Sequence, residues 1–376
     1  MANINDYLLF RGDIPISSRY KFNEVDSLIL ARFSYLIFNK IDMKKKETIG
    51  SISKKMKDFP NEKFMYNGDK EMITLLGQSD RFKNMIVTDY ERNNNRTSER
   101  QFCAITIHIS NKEMYLSFMG TDSSIYGWKE DFNMSFSENV PCQVAGKEYT
   151  EKLARKYRLK KIRLGGHSKG GNVAIYSAIM VKKEIQNRII KVYNYDGPGF
   201  SQDFTHTHIK SRMLPKIETY IPQESIIGRL LNHKEKITII KSLEKNIFQH
   251  DVFSWQVTKD DLVHLTENTD FSEDIDKALT RFIEITTIEE RKLAIDVLFD
   301  LFYSSEFETF SDITQNLSVS VPKILSKYKN LSKTEKKNMT DLIMIIVKAY
   351  LNNFSQREKS KITGKIKGKF ESKGVK

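Results

Sequence analysis

The feature that most limits how this chain can fold is an alternation of short apolar strands and helical stretches through its middle. Strand patterns and helical spacing take turns along one segment, with strands at 161–165, 189–195, 217–221 and 237–241 and helical stretches near 143–157, 170–183 and 208–214. Strands separated by helices pair in parallel through right-handed crossovers, and helices then cover both faces of the sheet. The sequence therefore predicts an α/β domain with a mainly parallel central sheet.

The segments before and after this alternating region have different spacings of apolar residues. Residues 103–109 and 114–119 alternate apolar and polar side chains around a polar turn, which predicts a β-hairpin. An N-terminal helical segment is predicted over 23–41, with Asn23 as its cap. From about residue 274 the spacing is helical throughout, with a capping box formed by Thr287 and Glu290 and a last helix over 340–354.

These patterns divide the chain into three predicted parts. Residues 1–270 form the α/β domain with its N-terminal helical segment, residues 271–354 an all-α annex, and residues 355–376 a basic tail. At 376 residues, with 39% hydrophobic side chains, the chain is long and apolar enough to bury a large core.

The net charge of +13 is unevenly placed. The tail alone holds eight Lys/Arg and two Asp/Glu, so it carries +6 of this charge and leaves the body only mildly basic. This distribution predicts no specific binding of nucleic acid. The tail could make weak contact with an anionic membrane surface, where each basic residue contributes about 1 kcal/mol.

The expected location is the cytoplasm. The first residues lack the basic start and apolar run of a secretory signal. Cys103 and Cys142 are too few for a disulfide framework.

Residues 166–170, Gly-His-Ser-Lys-Gly, lie where a predicted strand ends and a predicted helix begins. This Gly-x-Ser-x-Gly arrangement is typical of a nucleophile elbow, in which side chains at Gly166 and Gly170 would collide with their neighbours. The turn exposes the hydroxyl of Ser168 at a helix N-terminus, where the N–H of Lys169 can form half of an oxyanion hole. The order of residues fits neither a P-loop nor a dinucleotide fingerprint.

A serine hydroxyl needs a base and a carboxylate, in the chain order serine, acid, histidine for this kind of fold. His250 is the candidate base because it lies in the loop after the last predicted parallel strand. Asp196, at the end of the 189–195 strand, is the first candidate acid, and Glu224, after the next strand, is the alternative.

Several of these segments resemble class 3 (fungal-type) lipases. Residues 117–122 with Trp128 and Asp131 are similar to the Gly-Thr…Trp-x-x-Asp segment of those enzymes, and residues 166–174 are similar to their elbow. The resemblance implies that Thr121 supplies the second oxyanion donor.

A closer resemblance is to the Mbeg-like group of bacterial lipase-like proteins, and it covers roughly residues 4–260. It rests on five segments, namely 6–13, 22–28, 193–200, 222–228 and 249–257. It implies an α/β-hydrolase fold.

One stretch departs from the class 3 pattern. Those lipases place the acid in an Asp-x-Val-Pro-x-Leu segment, and the matching residues here are Ser225-Ile-Ile-Gly-Arg-Leu. Either the neighbouring Glu224 replaces that acid or Asp196 on the preceding strand does.

The sequence thus predicts a serine hydrolase that cleaves a carboxylic ester, by preference a lipid or acyl ester, through an acyl-enzyme intermediate. No cofactor or metal is expected, since the chain has no Cys/His cluster at ligand spacing. Two alternatives stay open. One is a binding protein that keeps the fold without turnover, and the other is a thioesterase or amidase, which shares the triad chemistry.

Overall fold

The computed structural model describes residues 2–36, 38–210, 212–266 and 286–337. These residues belong to two compact units, the first within Met1–Thr269 and Glu308–Asp312 and the second within Asp270–Phe307 and Ile313–Lys376. The return of residues 308–312 to the first unit was not predicted. The predicted last helix over 340–354 and the tail over 355–376 lie outside the described residues.

The first unit is built on a nine-stranded sheet whose spatial order, over the described residues, follows the chain. Its strands are β1 (Lys46–Thr48), β2 (Ile86–Asn95), β3 (Arg100–His108), β4 (Glu113–Phe118), β5 (Lys161–His167), β6 (Ile189–Tyr195), β7 (Ile217–Pro222), β8 (Ile237–Ile240) and β9 (His264–Leu265). Strands β4 to β8 pair in parallel, whereas β1 to β4 and the β8–β9 pair are antiparallel. The predicted α/β class, parallel sheet centre and hairpin are confirmed.

The helices of the first unit precede the sheet or connect its strands. They are α1 (Ile4–Arg11), α2 (Glu24–Phe33), α3 (Ile49–Met56), α4 (Asp69–Gln78), α5 (Ile125–Asn133), α6 (Pro141–Lys156), α7 (Lys169–Met180), α8 (Lys183–Gln186) and α9 (Gln202–His208). Short 3-10 helices occur at Phe38–Lys40, Asn61–Lys63, Leu214–Lys216, Ile227–Arg229, Asn246–His250 and Val252–Ser254.

The described part of the annex is helical, as predicted. Its helices are α10 (Ile288–Tyr303), α11 (Phe310–Gln315), whose first residues belong to the first unit, and α12 (Leu317–Asn330). The capping box of α10 is present, because Thr287 and Glu290 exchange hydrogen bonds between side chain and backbone. Among the described helices, none combines the length and the apolarity that crossing a membrane requires.

The two-residue period of the strands creates two separate cores. On β4, Leu116 and Phe118 face the core made with α6 and α7, whereas Tyr115 faces the core made with α1 to α4. Because consecutive side chains point to opposite faces of a sheet, one strand serves both cores. The sheet is therefore covered on both faces, as a parallel centre requires.

Two local predictions were wrong, and one strand was not predicted. The helix predicted over 23–41 ends at Phe33, where the hydroxyl of Ser34 bonds back to Ala31. The helical stretch predicted near 208–214 lies earlier, in α9, and is followed by the 3-10 turn at Leu214–Lys216. Strand β2 was missed because its second half, Glu-Arg-Asn-Asn-Asn, is polar and half-exposed.

A buried ion pair joins two of the N-terminal helices, α2 and α4. Arg32 of α2 donates two hydrogen bonds of 2.6 Å to the carboxylate of Asp69 on α4, and both side chains are 1% exposed. The guanidinium also lies 4.3 Å from the ring centroid of Tyr35 and 4.2 Å from that of Tyr66. A buried charge with this many partners is costly to leave unpaired.

We predict that Asp69→Asn lowers the free energy of unfolding by about 3 kcal/mol, because it leaves the Arg32 charge buried without its counter-ion. Urea unfolding followed by circular dichroism measures the loss. The matched control is Glu91→Gln, which breaks the exposed 2.6 Å pair with Lys152 and should cost less than about 1 kcal/mol. Equal losses in the two variants would contradict the prediction.

Candidate active site

Ser168 lies in a strained turn between β5 and α7. Its φ of 58° and ψ of −135° place it in a region that non-glycine residues seldom occupy. The backbone N–H of Ser168 donates to the carbonyl of Tyr195 at the end of β6, with a distance of 2.8 Å. The turn is thus held by the neighbouring parallel strand.

Crowding around the turn explains both glycines of the elbow. A Cβ at Gly166 would lie 2.3 Å from the carbonyl carbon of Gly170, and a Cβ at Gly170 would lie 2.1 Å from the carbonyl oxygen of Phe118. Backbone atoms cannot yield as a flexible side chain can, so neither position accepts a side chain. The structure thus places Gly166, Ser168 and Gly170 in a tight turn from β5 to α7.

His250 lies beside the elbow and contacts Asp196. The ring Nδ1 of His250 is 2.7 Å from Oδ2 of Asp196, whose side chain is 1% exposed. The ring centroid of His250 is 4.4 Å from that of His167, the residue before Ser168. Within the described residues, the His250 ring bonds to Asp196 and makes no hydrogen bond to the Ser168 hydroxyl.

The structure separates the two candidate acids. Asp196 directly follows β6 with a φ of 51°, and its N–H donates to the carbonyl of Tyr220 on β7. Glu224 is half-exposed, and its backbone N–H donates to the side chain of Gln249, next to His250. The carboxylate that lies against the His250 ring is that of Asp196.

His167 supports the loop that carries His250. Its Nε2 is 2.8 Å from the carbonyl oxygen of His250, which can only accept, so Nε2 carries the proton. Its Nδ1 lies 3.1 Å from the hydroxyl of Tyr35. Burial, together with the electrostatic influence of the neighbouring His250 and Arg32 side chains, holds the pKa of His167 well below its usual value, so the ring is neutral.

The sequence alone could not reveal this role of His167. The partner that it contacts, a main-chain carbonyl 83 residues away, leaves no pattern in the sequence. The only signal available was its position inside the elbow.

The two candidate oxyanion residues are linked through α5. The hydroxyl of Thr121 donates to Oδ2 of Asp131, while Nζ of Lys169 is 3.4 Å from Oδ1 of the same carboxylate. Lys169 also donates to Oε2 of Glu130 at 2.9 Å, and both of these side chains are essentially inaccessible to solvent. A single ionic cluster therefore braces the loop after β4 against the first turn of α7.

Glu130 connects this cluster to the surrounding backbone. Its Oε2 also accepts from the N–H of Gln101 at 3.0 Å, and its Oε1 accepts from the N–H of Cys142 at 2.7 Å. Burial opposes the charge of Lys169, but Asp131 and Glu130 outweigh it and raise the pKa of this ammonium group. The side chain of Lys169 is thus fixed as a cation in the interior.

The pKa of Asp131 lies closer to neutral pH than is usual for an aspartate. Its burial, reinforced by the negative charge of Glu130, raises the pKa of Asp131 to about 6, although Lys169 and Thr121 act in the opposite direction. Among the described residues, no group of three or more His, Cys, Asp and Glu is arranged to hold a metal ion.

The site has a serine in a sharp turn between a parallel strand and a helix. It also has a histidine–carboxylate pair, with Asp196 directly after β6 and His250 in the 3-10 helix that follows β8. These features define the α/β-hydrolase class. Within this class, the chain belongs to the Mbeg1-like family, whose family model matches residues 76–300. The resemblance to Mbeg-like proteins is thereby confirmed. Comparison with curated proteins gives no match.

Several solved lipase structures are similar to this chain. A fungal lipase in an inhibitor complex is 13% identical, with a TM-score of 0.35 over 46% of this chain and 70% of that one. Lipase II from Rhizopus niveus is 13% identical, with a TM-score of 0.34 over 48% and 71%. The M37 lipase is 16% identical, with a TM-score of 0.34 over 56% and 71%.

We predict that Asp131→Asn removes a pH-dependent cost of folding. Because the pKa of Asp131 is raised from its ordinary value to about 6, the folded state holds this proton more tightly than the unfolded state. Deprotonation between about pH 4 and pH 6 therefore destabilises the wild type by about 2 kcal/mol, and the asparagine variant lacks this loss.

Urea unfolding of both proteins at pH 4, 5, 6 and 7 measures the effect. The variant should gain stability relative to the wild type as the pH rises. A difference that stays constant from pH 4 to pH 7 would show that Asp131 titrates normally.

Proposed function

We propose that this protein is a serine hydrolase that cleaves carboxylic esters of the lipid or acyl type, with Ser168 as nucleophile, His250 as base and Asp196 as acid. The observation that carries the proposal is the 2.7 Å contact between His250 and the buried Asp196 beside a strained serine elbow. Strained backbone and a histidine–carboxylate pair at one sheet edge have a structural cost, and such arrangements cluster at active sites.

In the first half of the reaction, Oγ of Ser168 attacks the ester carbonyl carbon while Nε2 of His250 accepts the hydroxyl proton. The tetrahedral oxyanion is stabilised by the N–H of Thr121, in the loop after β4, and by the N–H of Lys169, at the N-terminus of α7. His250 then returns the proton to the leaving alcohol as the C–O bond breaks, which leaves an acyl group on Ser168.

In the second half, a water molecule gives a proton to His250 and attacks the acyl carbon. Collapse of the second tetrahedral intermediate releases the carboxylic acid, and the proton returns to Ser168. Asp196 holds the imidazole through Nδ1 and stabilises its positive charge. The hydrogen bond from Ser168 to His250 forms in the substrate complex in this scheme, since such contacts often tighten only then.

The ionic cluster of Lys169, Glu130 and Asp131 holds the two proposed oxyanion residues in place. Because both oxyanion residues are anchored to the same carboxylate, the two N–H donors keep one relative position during the reaction. Donors that need no reorganisation are the most effective at stabilising developing charge.

Two predictions test the role of the acid. Asp196→Asn should lower kcat for a p-nitrophenyl ester about a thousandfold or more, because the neutral amide neither fixes the imidazole tautomer nor stabilises its charge. Glu224→Gln, the matched control from the alternative position, should change kcat less than threefold. The opposite ranking would transfer the acid role to Glu224.

The Ser168→Ala variant and a fluorophosphonate probe show whether ester hydrolysis comes from this protein or from a contaminating enzyme. The wild type should become labelled with the probe and hydrolyse the ester, and the alanine variant should do neither. A purified wild type that binds esters without releasing acid would instead support a binding protein that has the fold without turnover. Parallel assays with a thioester and an anilide distinguish the thioesterase and amidase alternatives.

We also propose a cytoplasmic setting with weak contact to anionic lipid through residues 355–376. The two cysteines of the chain are free, in keeping with a reducing compartment. Deletion of residues 355–376 should weaken sedimentation with phosphatidylserine vesicles at low salt and leave kcat for a soluble ester unchanged. Equal sedimentation of the full and shortened chains would remove this proposal.

A further inference from the structure

We infer that Ser225 is a positioning residue that, with the N–H of Gly228, orients the carboxylate of Asp196 toward His250. This inference rests on the proposed function for its kinetic meaning. The hydroxyl of Ser225 donates to Oδ1 of Asp196, and the N–H of Gly228 donates to the same oxygen at 3.1 Å. The other oxygen, Oδ2, is thereby left to His250.

The two oxygens of Asp196 have separate environments. Oδ2 faces the His250 ring, whereas Oδ1 is enclosed by the turn that follows β7. Asp196 and Ser225 are each 1% exposed, so bulk water does not compete for these bonds. An aspartate carboxyl turns easily about its last side-chain bond, so the bonds to Oδ1 decide which way Oδ2 points.

Ser225 is itself held in place by the turn. Its N–H donates to the carbonyl of Pro222 at 3.0 Å, and its Oγ lies 2.9 Å from the N–H of Gly228. A hydroxyl that accepts from Gly228 has its own proton free for Asp196. The backbone N–H of Gly228 thus determines that Ser225 is the donor in its hydrogen bond with Asp196.

The space around Gly228 is too small for a side chain. A Cβ at this position would lie 2.4 Å from Oδ1 of Asp196 and 2.5 Å from Cγ2 of Ile221. The backbone can approach the carboxylate closely only because residue 228 is glycine. The turn at 225–228 therefore directs two hydrogen-bond donors at one carboxylate oxygen, Oδ1 of Asp196.

The kinetic test compares Ser225→Ala with Ser225→Thr. Loss of the hydroxyl should lower kcat about ten- to a hundredfold and change KM less than twofold, because a hydrogen bond to a charged group is lost and substrate contacts are not. Ser225→Thr keeps the hydroxyl and should recover most of kcat. Ser79→Ala, a matched loss of a buried serine hydroxyl bonded to the carbonyl of Gly12 at 2.9 Å, should leave kcat unchanged.

A double-variant cycle shows whether Ser225 acts through Asp196. In the Asp196→Asn background, Ser225→Ala should lower kcat less than twofold. Full additivity of the two losses would overturn the inference, and so would a Ser225→Thr variant as slow as the alanine variant.

A measurement without turnover separates this inference from the proposed function. In the full-length protein labelled with nitrogen-15, the proton on Nδ1 of His250 gives a low-field signal through its bond to Asp196. This signal should be lost or shifted in Ser225→Ala and kept in Ser79→Ala. An unchanged signal in Ser225→Ala overturns the inference even if the protein hydrolyses esters, and a lost signal supports it even if no ester is cleaved.

Discussion

The constraint on which this site depends is the close approach of three backbone segments around the serine turn. Strands β4 and β5 pair in parallel with Phe118 opposite Gly166, and the carbonyl of Phe118 then lies against Gly170. The loop after β4 arrives at the same point, since a Cβ on Gly120 would lie 3.1 Å from Cβ of Ser168. Only a chain with glycine at these places can bring the serine, the loop and the helix terminus together.

The parallel order of the strands brings Ser168 and Asp196 to the same edge of the sheet. The N–H of Ser168 bonds to the carbonyl of Tyr195, and the N–H of Asp196 bonds to the carbonyl of Tyr220, each at 2.8 Å. Both residues have positive φ, 58° for Ser168 and 51° for Asp196, which residues other than glycine seldom adopt. These backbone hydrogen bonds fix the spacing between the proposed nucleophile and the proposed acid. The side chain of Asp196 then contacts His250. Ligand sites of α/β sheets lie at this carboxyl edge for the same reason.

Two buried polar networks hold this edge from opposite sides. On one side, Lys169 and Glu130 join α7 to α5, with Thr121 attached through Asp131. On the other, His167 bonds to the main chain of residue 250, and its ring is kept neutral by burial. Buried polar groups are stable only when their hydrogen bonds are made, so each network favours one arrangement of the loops it joins. The placement of these loops therefore depends on satisfied hydrogen bonds of buried polar groups.

Local patterns in the sequence determined much of this protein. Alternating periods specified a parallel sheet covered on both faces, and the spacing of Gly166, Ser168 and Gly170 specified the elbow, because both depend on residues close in the chain. Tertiary structure alone showed that the carboxylate of Asp196 contacts His250, since Asp196 and Glu224 each follow a strand and the sequence offers both. It alone also assigned partners to His167, Lys169 and Ser225, because a hydrogen bond between residues 29 to 83 positions apart has no sequence period. Contacts of that range form only when the fold closes, and for that reason the sequence could name the candidates but not choose among them.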